Sequence, residues 1–531
     1  MRAALTFICA AALAGLAPVA AVAQPVEPID DLQWLAIENI VAPVLNPDGE
    51  CNGEALALVE RARTRLLQGN YAEARRLYSQ ARAVFSGGEW TPQAEFVASL
   101  ALRPAHVAVD PARKLTLAIG QHFSASYPAS AEYRDISFRI HARRWSRRPA
   151  AQLDDAIALV ELPMSVPDLL DNPQYLLLDL EAVPDGSWEL VAEVLDGEEV
   201  IGRSASRIFV ARDLERDSER LRLGLAALPD LRPGLAASIA YPLDLAQGLD
   251  RRDRKVQDID LRAELDTALA LLDAAEKGDD PQWQSRGQTG RHYFSEVSGR
   301  IEPFQVYISE SWDGDTPLPL AVLLHGSMGD DRTVFADGRL EQAARERGIA
   351  ILSPMGDDPN SVWGNRRPAV LADGSIPAPR PVIAGGRVQP VQRLEQEPAE
   401  ADVQATLALM RAEFPIDPSR IYLGGNSMGG EGTLHLAMKW PETWAAIAPG
   451  AGPIDPDLLD YEVLARFPAL VVHGSQDTIM SLAASRETVR RLQEAGGDAA
   501  LFSPDDGHGA FGHNYETILD FFLRHRRPAD D

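Results

Sequence analysis

The sequence predicts an α/β fold for residues 282–531, in which helices cover both faces of a doubly wound, mostly parallel sheet. Continuous apolar runs such as Leu320–Leu324 are typical of strands buried on both faces. Helical patterns separate these runs, and a glycine-rich strand-to-helix turn lies at residues 424–430. The residues before 282 instead predict helices and a small antiparallel β-sandwich-like domain. A chain of 531 residues is too long for one core, and its length predicts two to four domains.

Residues 1–23 predict a secretory signal peptide. Arg2 precedes an apolar run from Ala3 to Val22, which ends in the small-residue exit Ala21-Val22-Ala23. We expect cleavage before Gln24 and export to the periplasm or the medium. An uncleaved membrane anchor is the alternative, because the run approaches the length of a membrane span, but its small side chains favour cleavage.

Residues 24–110 predict a helical segment. Two helical patterns within Glu54–Phe85 flank Gly69-Asn70-Tyr71, and the second has an apolar face. The pair resembles one tetratricopeptide-type helical hairpin, although the sequence has no second copy at the period of about 34 residues. We interpret it as a helical pair that packs on the next domain, with a peptide-binding repeat as the alternative.

Residues 111–212 predict the β-sandwich-like domain. Polar and apolar residues alternate in Ile136–Ile140 and in Trp188–Val194, and Asp196-Gly197 supplies a hairpin turn. Such a domain binds a polymer or packs against its neighbour, and the pattern itself favours neither; we take packing as the simpler interpretation.

Residues 213–281 predict a helical linker region. Helical patterns at Asp213–Leu228 and Ile259–Ala275 flank a Pro-Gly interruption at residues 233 and 234. We place a domain boundary after this region and expect a chain that begins near Gln282 to keep its own sheet.

The predicted sheet of residues 282–531 is built from runs that suit strands. The turn at residues 424–430 follows a predicted strand at Arg420–Leu423. The other predicted strands are Arg300–Ile308, Leu320–Leu324, Ile349–Pro354, Ala445–Gly450, Ala469–Gly474 and Leu501–Pro504.

Gly425-x-Ser427-x-Gly429 predicts a nucleophile elbow. A serine hydroxyl on a tight strand-to-helix turn is exposed and has a backbone N–H beside it, as acyl transfer requires. The pattern alone is common in glycine-rich loops, so its context decides the interpretation. Upstream, His325-Gly326-Ser327 follows a buried strand. The backbone N–H of Gly326 or Ser327, together with that of Met428, would donate hydrogen bonds to a substrate oxyanion.

An acid and a base follow the elbow in the chain order that this fold requires. Asp477 lies one loop beyond a predicted strand, where its carboxylate can hold a histidine tautomer; the alternative is a turn or helix-cap residue before Ser481. His508 lies in the loop after the last strand, between glycines, whereas His513 lies at the start of the terminal helix. We favour His508 as the base.

A proline-rich insert at residues 356–398 leaves the tip of a predicted strand on the side where substrate binds. Trp363 offers an apolar face, and Arg366 and Arg367 offer donors. The insert is predicted to form a wall of the substrate pocket, with anchoring of the loop to the core as the alternative role of Trp363.

Residues 300–525 resemble the secreted esterase branch of the α/β hydrolases, which includes feruloyl and acetylxylan esterases, polyhydroxybutyrate depolymerase-like esterases and a group labelled predicted peptidases. The resemblance implies that Ser427 is the nucleophile, Asp477 the acid and His508 the base. Asn426 departs from the hydrophobic or small residue more common there. The blocks that carry the resemblance are Phe414–Tyr422 with the elbow, Ala445–Gly452, His473-Gly474-x-x-Asp477 and Gly507-His508.

The composition limits the classes of partner and cofactor that we expect the protein to bind. A net charge of −27 argues against nucleic acid and anionic membrane surfaces. Cys9 lies in the predicted signal and Cys51 stands alone, so an internal disulfide is not expected. The histidines lack metal-ligand spacing, and we expect neither a metal nor another cofactor. The leading functional hypothesis is a serine esterase acting on a small or polymer-borne ester. The alternatives are a serine peptidase of the same fold and a non-catalytic binding protein on a degenerate hydrolase scaffold.

Overall fold

The computed structural model describes residues 35, 52–128, 133–146, 153, 155–252, 254, 259–365, 367, 370, 382–384, 387–389 and 397–528. The predicted signal peptide at residues 1–23, both cysteines and most of the insert at 356–398 lie outside them. Within this described part of the chain, no helix is both long and apolar enough to cross a membrane.

Three helices open the described chain. Asn70 caps the second helix, because its Oδ1 accepts a hydrogen bond from the backbone N–H of Glu73 at 3.2 Å. The third helix follows a Thr91 cap and has proline in its first turn. Leu77 and Tyr78 are buried in a core that the first two helices share with Leu35. The helices are α1 (Asn52–Leu67), α2 (Tyr71–Phe85) and α3 (Pro92–Ser99).

Two sheets then pack face to face. Leu117 and Ile119 of the first sheet lie in one core with Phe138, Ile140 and Leu190 of the second. Leu117, Phe138 and Ile140 alternate along their strands with half-buried residues. The first sheet has the order β1-β3-β6 and the second β2-β8-β7-β4-β5. The strands are β1 (Leu100–Pro104), β2 (Ala108–Val109), β3 (Leu115–Gln121), β4 (Ile136–Arg144), β5 (Ile157–Pro163), β6 (Gln174–Leu178), β7 (Gly186–Asp196) and β8 (Glu199–Val210).

Three helices follow the two sheets and contact the next domain: α4 (Leu214–Ala227), α5 (Pro233–Arg251) and α6 (Leu261–Ala275). They share one apolar core with Ile301 of the C-terminal domain. Tyr241 stacks on His292 with ring centroids 4.0 Å apart. Arg254, just beyond α5, forms a 2.9 Å ion pair with Glu302, and both side chains are almost fully buried. The helices predicted for 213–281 are present, and they cover part of the C-terminal sheet.

The C-terminal domain is organised around an eight-stranded sheet of order β18-β17-β16-β15-β11-β12-β10-β9. Strands β9 and β10 pair antiparallel with their neighbours, and the remaining pairs are parallel. The strands are β9 (Gly287–Ser295), β10 (Arg300–Ile308), β11 (Leu318–Leu324), β12 (Ala350–Pro354), β15 (Ile416–Asn426), β16 (Ala446–Gly450), β17 (Ala469–Val472) and β18 (Ala499–Phe502). A separate hairpin joins β13 (Val382–Ala384) to β14 (Arg387–Gln389) within the insert.

Helices cover both faces of this sheet, so the predicted doubly wound α/β fold is confirmed. Leu320 and Val322 face one core, and Ala321 and Leu323, between them in sequence, face the other. The apolar run is continuous because both faces are buried. The helices are α7 (Arg339–Arg347), α8 (Pro398–Glu413), α9 (Met428–Lys439), α10 (Tyr461–Leu464), α11 (Leu482–Glu494), α12 (Ala510–His513) and α13 (Tyr515–Leu523).

A chain that begins at Gln282 is expected to aggregate or to melt well below the full-length protein. It uncovers the apolar surface around Ile301 and removes Arg254 from buried Glu302, and such a loss costs about 3–5 kcal/mol. Thermal unfolding and sedimentation measure the effect. A control chain that begins at Thr91 lacks α1 and α2, whose core is separate from the core of α4–α6. Cooperative melting of the Gln282 chain within a few degrees of the control would contradict the shared core.

Candidate active site

Ser427 lies at the carboxyl end of β15, in the turn that leads into α9. Its backbone has φ 58° and ψ −122°, a conformation that a residue with a Cβ rarely adopts. Three hydrogen bonds hold the turn. The Ser427 N–H donates to the carbonyl of Gly450 at 2.8 Å, and the Ser427 carbonyl accepts from Gly430 at 2.8 Å and Glu431 at 3.0 Å. Backbone strain that is fixed in this way is typical of functional sites.

Two glycines let the elbow lie against β11. A Cβ on Gly429 would lie 2.2 Å from the carbonyl oxygen of Leu324, and one on Gly425 would lie 2.6 Å from the same atom. Both distances are far below van der Waals contact, so any larger residue would push the turn off the central strand. The spacing that the sequence predicted for an elbow therefore has a steric cause.

The loop after β11 reaches the elbow. A Cβ on Gly326 would lie 3.2 Å from the backbone oxygen of Asn426, so the loop and the turn are in contact. Met428 is the first residue of α9, where the backbone N–H has no carbonyl one turn earlier to bond. Further along the loop after β11, the N–H of Met328 already donates to the carbonyl of Pro359 at 2.7 Å, so it is not available to an oxyanion. Gly326, Ser327 and Met428 stay the predicted oxyanion donors.

His508 contacts Asp477. The His508 Nδ1 lies 2.8 Å from Asp477 Oδ2, and the Asp477 side chain is fully buried. An ionised carboxylate only accepts hydrogen bonds, so Nδ1 carries a proton and Nε2 is left free to accept one. The other carboxylate oxygen, Oδ1, accepts from the backbone N–H groups of Ile479 at 2.8 Å and Met480 at 3.0 Å. Asp477 thus also has the turn role considered as its alternative.

A second histidine, which the sequence analysis did not assign to the site, lies against the same carboxylate. His473 Nε2 is 3.2 Å from Asp477 Oδ2, a polar contact whose direction falls short of a well-formed hydrogen bond. His473 is fully buried, and its Nδ1 lies 2.8 Å from the hydroxyl of Ser485 on α11. The His473-Gly474-x-x-Asp477 spacing was visible in the sequence, but it did not indicate that the first residue touches the last.

Asp477 stays ionised in this environment. Burial by itself raises the pKa of Asp477, but its interactions with His473 and His508 and the N–H of Met480 outweigh burial and hold the pKa well below the ordinary value. Since the folded-state pKa is depressed, this stabilising contribution is present above the unfolded-state pKa and is lost only in strong acid. The carboxylate can therefore stabilise a histidinium throughout the neutral range.

His513 has a different partner. Its Nδ1 lies 2.7 Å from Asp506 Oδ2, and its side chain is 52% exposed. It makes a surface contact with Asp506, and the described structure shows no contact of His513 with Asp477. The geometry therefore favours His508 over His513 as the base.

Asn426 ties the loop of His508 to the turn at Ser427. Its Nδ2 donates to the backbone carbonyl of His508 at 3.1 Å, and this bond fixes the amide orientation because a carbonyl can only accept. The Oδ1 of Asn426 is buried without a hydrogen-bond partner in the described structure. Asn426 thus links the loop of His508 to the residue before Ser427.

Asn426→Ala is expected to lower kcat about tenfold with little change in KM. The substitution removes the bond that holds the His508 backbone, which is worth about 1 kcal/mol, and it also deletes the unpartnered Oδ1, so thermal stability should change little. Steady-state kinetics and a melting curve measure both. Asn514→Ala is the matched control, because Asn514 Nδ2 bonds only to Ala510 in the neighbouring helix. Equal kcat values for the two variants would rule out the tie.

Trp363 does not form the predicted pocket wall. Its side chain has no exposed surface, and its indole Nε1 donates to the backbone carbonyl of His325 at 3.1 Å. The anchoring alternative is the one that this geometry favours. Arg366 lies outside the described residues, and Arg367 Nε donates to the carbonyl of Leu458 at 3.1 Å. Trp363 and Arg367 are thus engaged within the protein.

The strand order and the turn at Ser427 are those of the α/β-hydrolase fold. No protein-family model matches the chain. The chain is 36% identical over 94 residues to the cutinase est2 of Thermobifida alba. The matched stretch is 18% of this chain and 30% of that protein. The chain is also 29% identical over 157 residues to the bifunctional acetylxylan esterase/xylanase XynS20E of Neocallimastix patriciarum. This matched stretch is 29% of this chain and 22% of that protein.

These relatives carry the names of ester hydrolases, so the predicted resemblance to esterases is confirmed. The chain spans less than half the length of the curated relatives it matches. Among solved structures, a thermostable esterase is 16% identical, with a TM-score of 0.34, over 81% of this chain and 100% of that one. The fold assignment rests on the strand order rather than on this distant likeness.

Proposed function

We propose that this chain is a serine esterase that hydrolyses a carboxylic ester through an acyl-enzyme intermediate. In this proposal Ser427 is the nucleophile, His508 the general base and Asp477 the acid that orients His508. The observation that supports it most is the buried 2.8 Å contact of His508 Nδ1 with an ionised Asp477. Asn426, next to the strained Ser427, bonds to the carbonyl of the same His508.

The first half-reaction starts with the Ser427 hydroxyl. Its oxygen attacks the ester carbonyl while its proton passes to His508 Nε2, which the contact of Nδ1 with Asp477 leaves available. The oxyanion of the tetrahedral intermediate accepts hydrogen bonds from the N–H of Met428 and from that of Gly326 or Ser327. Collapse breaks the bond to the alcohol, which leaves with the proton that His508 returns.

In the second half-reaction, water replaces the alcohol. His508 takes a proton from the water as its oxygen attacks the acyl-serine carbonyl, and it then returns that proton to the Ser427 oxygen as the acid product leaves. Each step forms a histidinium beside Asp477. Because the Asp477 side chain is fully buried, the attraction between the two charges acts in a low-dielectric environment and is stronger than it would be in water.

Export by the predicted signal peptide at residues 1–23 is part of the proposal. An exported hydrolase meets esters of polymers or of small molecules outside the cytoplasm. The −27 net charge is consistent with a soluble partner of this kind and not with an anionic surface. The sandwich of β1–β8 and the hairpin of α1 and α2 are proposed as accessory parts.

A direct comparison of substrates tests the proposal. Purified protein is assayed with p-nitrophenyl acetate and with acyl and peptidyl p-nitroanilides, and the Ser427→Ala variant is the control for background hydrolysis. We expect turnover of the ester that the variant lacks. Preferred cleavage of the peptidyl anilides would mean a peptidase, and the absence of serine-dependent turnover would favour the binding-protein alternative.

A further inference from the structure

Two consecutive residues beside the elbow have a backbone conformation that glycine prefers. Val362 has φ 54° and Trp363 has φ 52°, and both carry bulky side chains. The left-handed region is unfavourable for a non-glycine residue and most of all for a β-branched one. Such strain persists only where the surroundings fix the segment in place. This turn lies at the start of the insert. Its contacts therefore indicate which part of the site the strained conformation serves.

One side of the turn contacts the oxyanion loop. The Trp363 Nε1 donates to the His325 carbonyl at 3.1 Å, and the two rings lie with centroids 4.9 Å apart. Met355, from the segment just before the turn, has its carbonyl 2.7 Å from His325 Nε2, while His325 Nδ1 is 2.8 Å from the carbonyl of Gly326. Both partners are carbonyls, which only accept, so a neutral His325 donates to one of them, and the Trp363 ring packs beside it. His325 is thus held directly before the residues predicted to bind the oxyanion.

The other side of the turn contacts the elbow helix. The Val362 N–H lies 3.3 Å from Met428 Sδ, and Met428 is fully buried. A Cβ on Gly432, one turn further along α9, would lie 2.7 Å from the Cβ of Trp363. The indole is therefore packed directly on the backbone of the helix whose first N–H is the other predicted donor.

We propose that Trp363 is a positioning residue that sets the spacing of the two halves of the oxyanion hole. This inference rests on the proposed esterase function. The indole bridges the carbonyl of His325 and the backbone at Gly432. Its size and its N–H therefore fix the distance between the loop that carries Gly326 and the start of α9 at Met428. Since it is fully buried, Trp363 acts on the reaction without touching substrate.

The role predicts a loss in kcat that does not depend on substrate size. Misplacing catalytic groups by about 1 Å costs about a hundredfold in rate. We expect Trp363→Phe, which keeps an aromatic ring but is smaller and lacks the N–H, to lower kcat about tenfold, and Trp363→Ala to lower it about a hundredfold. The KM values for p-nitrophenyl acetate and for a bulky p-nitrophenyl ester should both stay within about twofold of the wild-type values.

The test measures kcat and KM on both esters for the two variants, with active sites counted by burst titration so that unfolded protein does not enter kcat. Trp283→Phe is the control, because Trp283 is 41% exposed and its ring packs on Arg232 instead of on the oxyanion loop or α9. Partial rescue by Phe relative to Ala at unchanged KM supports the inference. A rise in KM confined to the bulky ester would identify a pocket wall and overturn it, as would normal kcat with only a lowered melting temperature.

The wild-type assay separates the two ideas. If the wild-type protein hydrolyses both esters and Trp363→Phe matches it in kcat, the positioning role fails while the esterase proposal stands. If the wild-type protein hydrolyses neither ester, the proposed function fails and this inference fails with it.

Discussion

Ser427→Ala is expected to lower kcat for p-nitrophenyl acetate by at least about 10⁴-fold, because the three residues of a triad act as a unit. The fold should stay intact. Alanine keeps the Cβ that serine already places at φ 58°, and the three backbone hydrogen bonds of the turn do not use the hydroxyl. Steady-state kinetics and thermal unfolding measure the two parts. Near-normal turnover in this variant would remove Ser427 from the mechanism.

His508→Ala is expected to be about as damaging as the loss of Ser427, whereas His513→Ala should change kcat less than about twofold. Of the two, His508 contacts the buried, ionised Asp477, whereas His513 pairs with Asp506 at the exposed surface. Exposed pairs of this kind contribute about 0–1 kcal/mol.

Both variants are assayed on p-nitrophenyl acetate after their circular dichroism spectra are matched to that of the wild-type protein. Asn426 bonds to the backbone carbonyl of His508, so its tie to the loop survives the loss of the imidazole. The reverse ranking of the two histidines would mean that the base has been assigned to the wrong residue.

Much of the C-terminal fold could be predicted because its strands are buried on both faces. Leu320–Leu324 lies between two cores, and this leaves a continuous apolar run in the sequence. The first strand, Gly287–Ser295, was not predicted, because it is an edge strand and combines exposed and polar residues. The helices of 213–281 were predicted, but their place on the sheet depends on long-range contacts such as Arg254 with Glu302.

The elbow was predicted for a local reason: Gly425 and Gly429 are required by close approach to Leu324, and this requirement is written in the sequence. The contacts around it leave no such mark in the sequence. His473 touches Asp477 four residues later through the fold of a loop, and Asn426 reaches His508 across 82 residues of chain. A single sequence gives the residue types at such positions but not the partners, so these roles required the structure.

Trp363 is the clearest case of a residue whose role changes with the structure. A tryptophan in a proline-rich insert near the substrate side predicted a pocket wall. The backbone places it at positive φ instead, where its side chain turns into the protein and packs on α9. No sequence pattern indicates a left-handed conformation for a Val-Trp pair, because both residues disfavour it.

Labelling with a fluorophosphonate tests the central claim most directly, because only an activated serine reacts rapidly with this class of probe. The folded wild-type protein is treated with the probe, and the modified residue is located by mass spectrometry of its peptides. We predict a single modification on Ser427, which is lost in Ser427→Ala, in His508→Ala and after heat denaturation of the wild-type protein. Absence of labelling in the folded protein, or labelling of a different serine, would contradict the assignment of a serine esterase to this site.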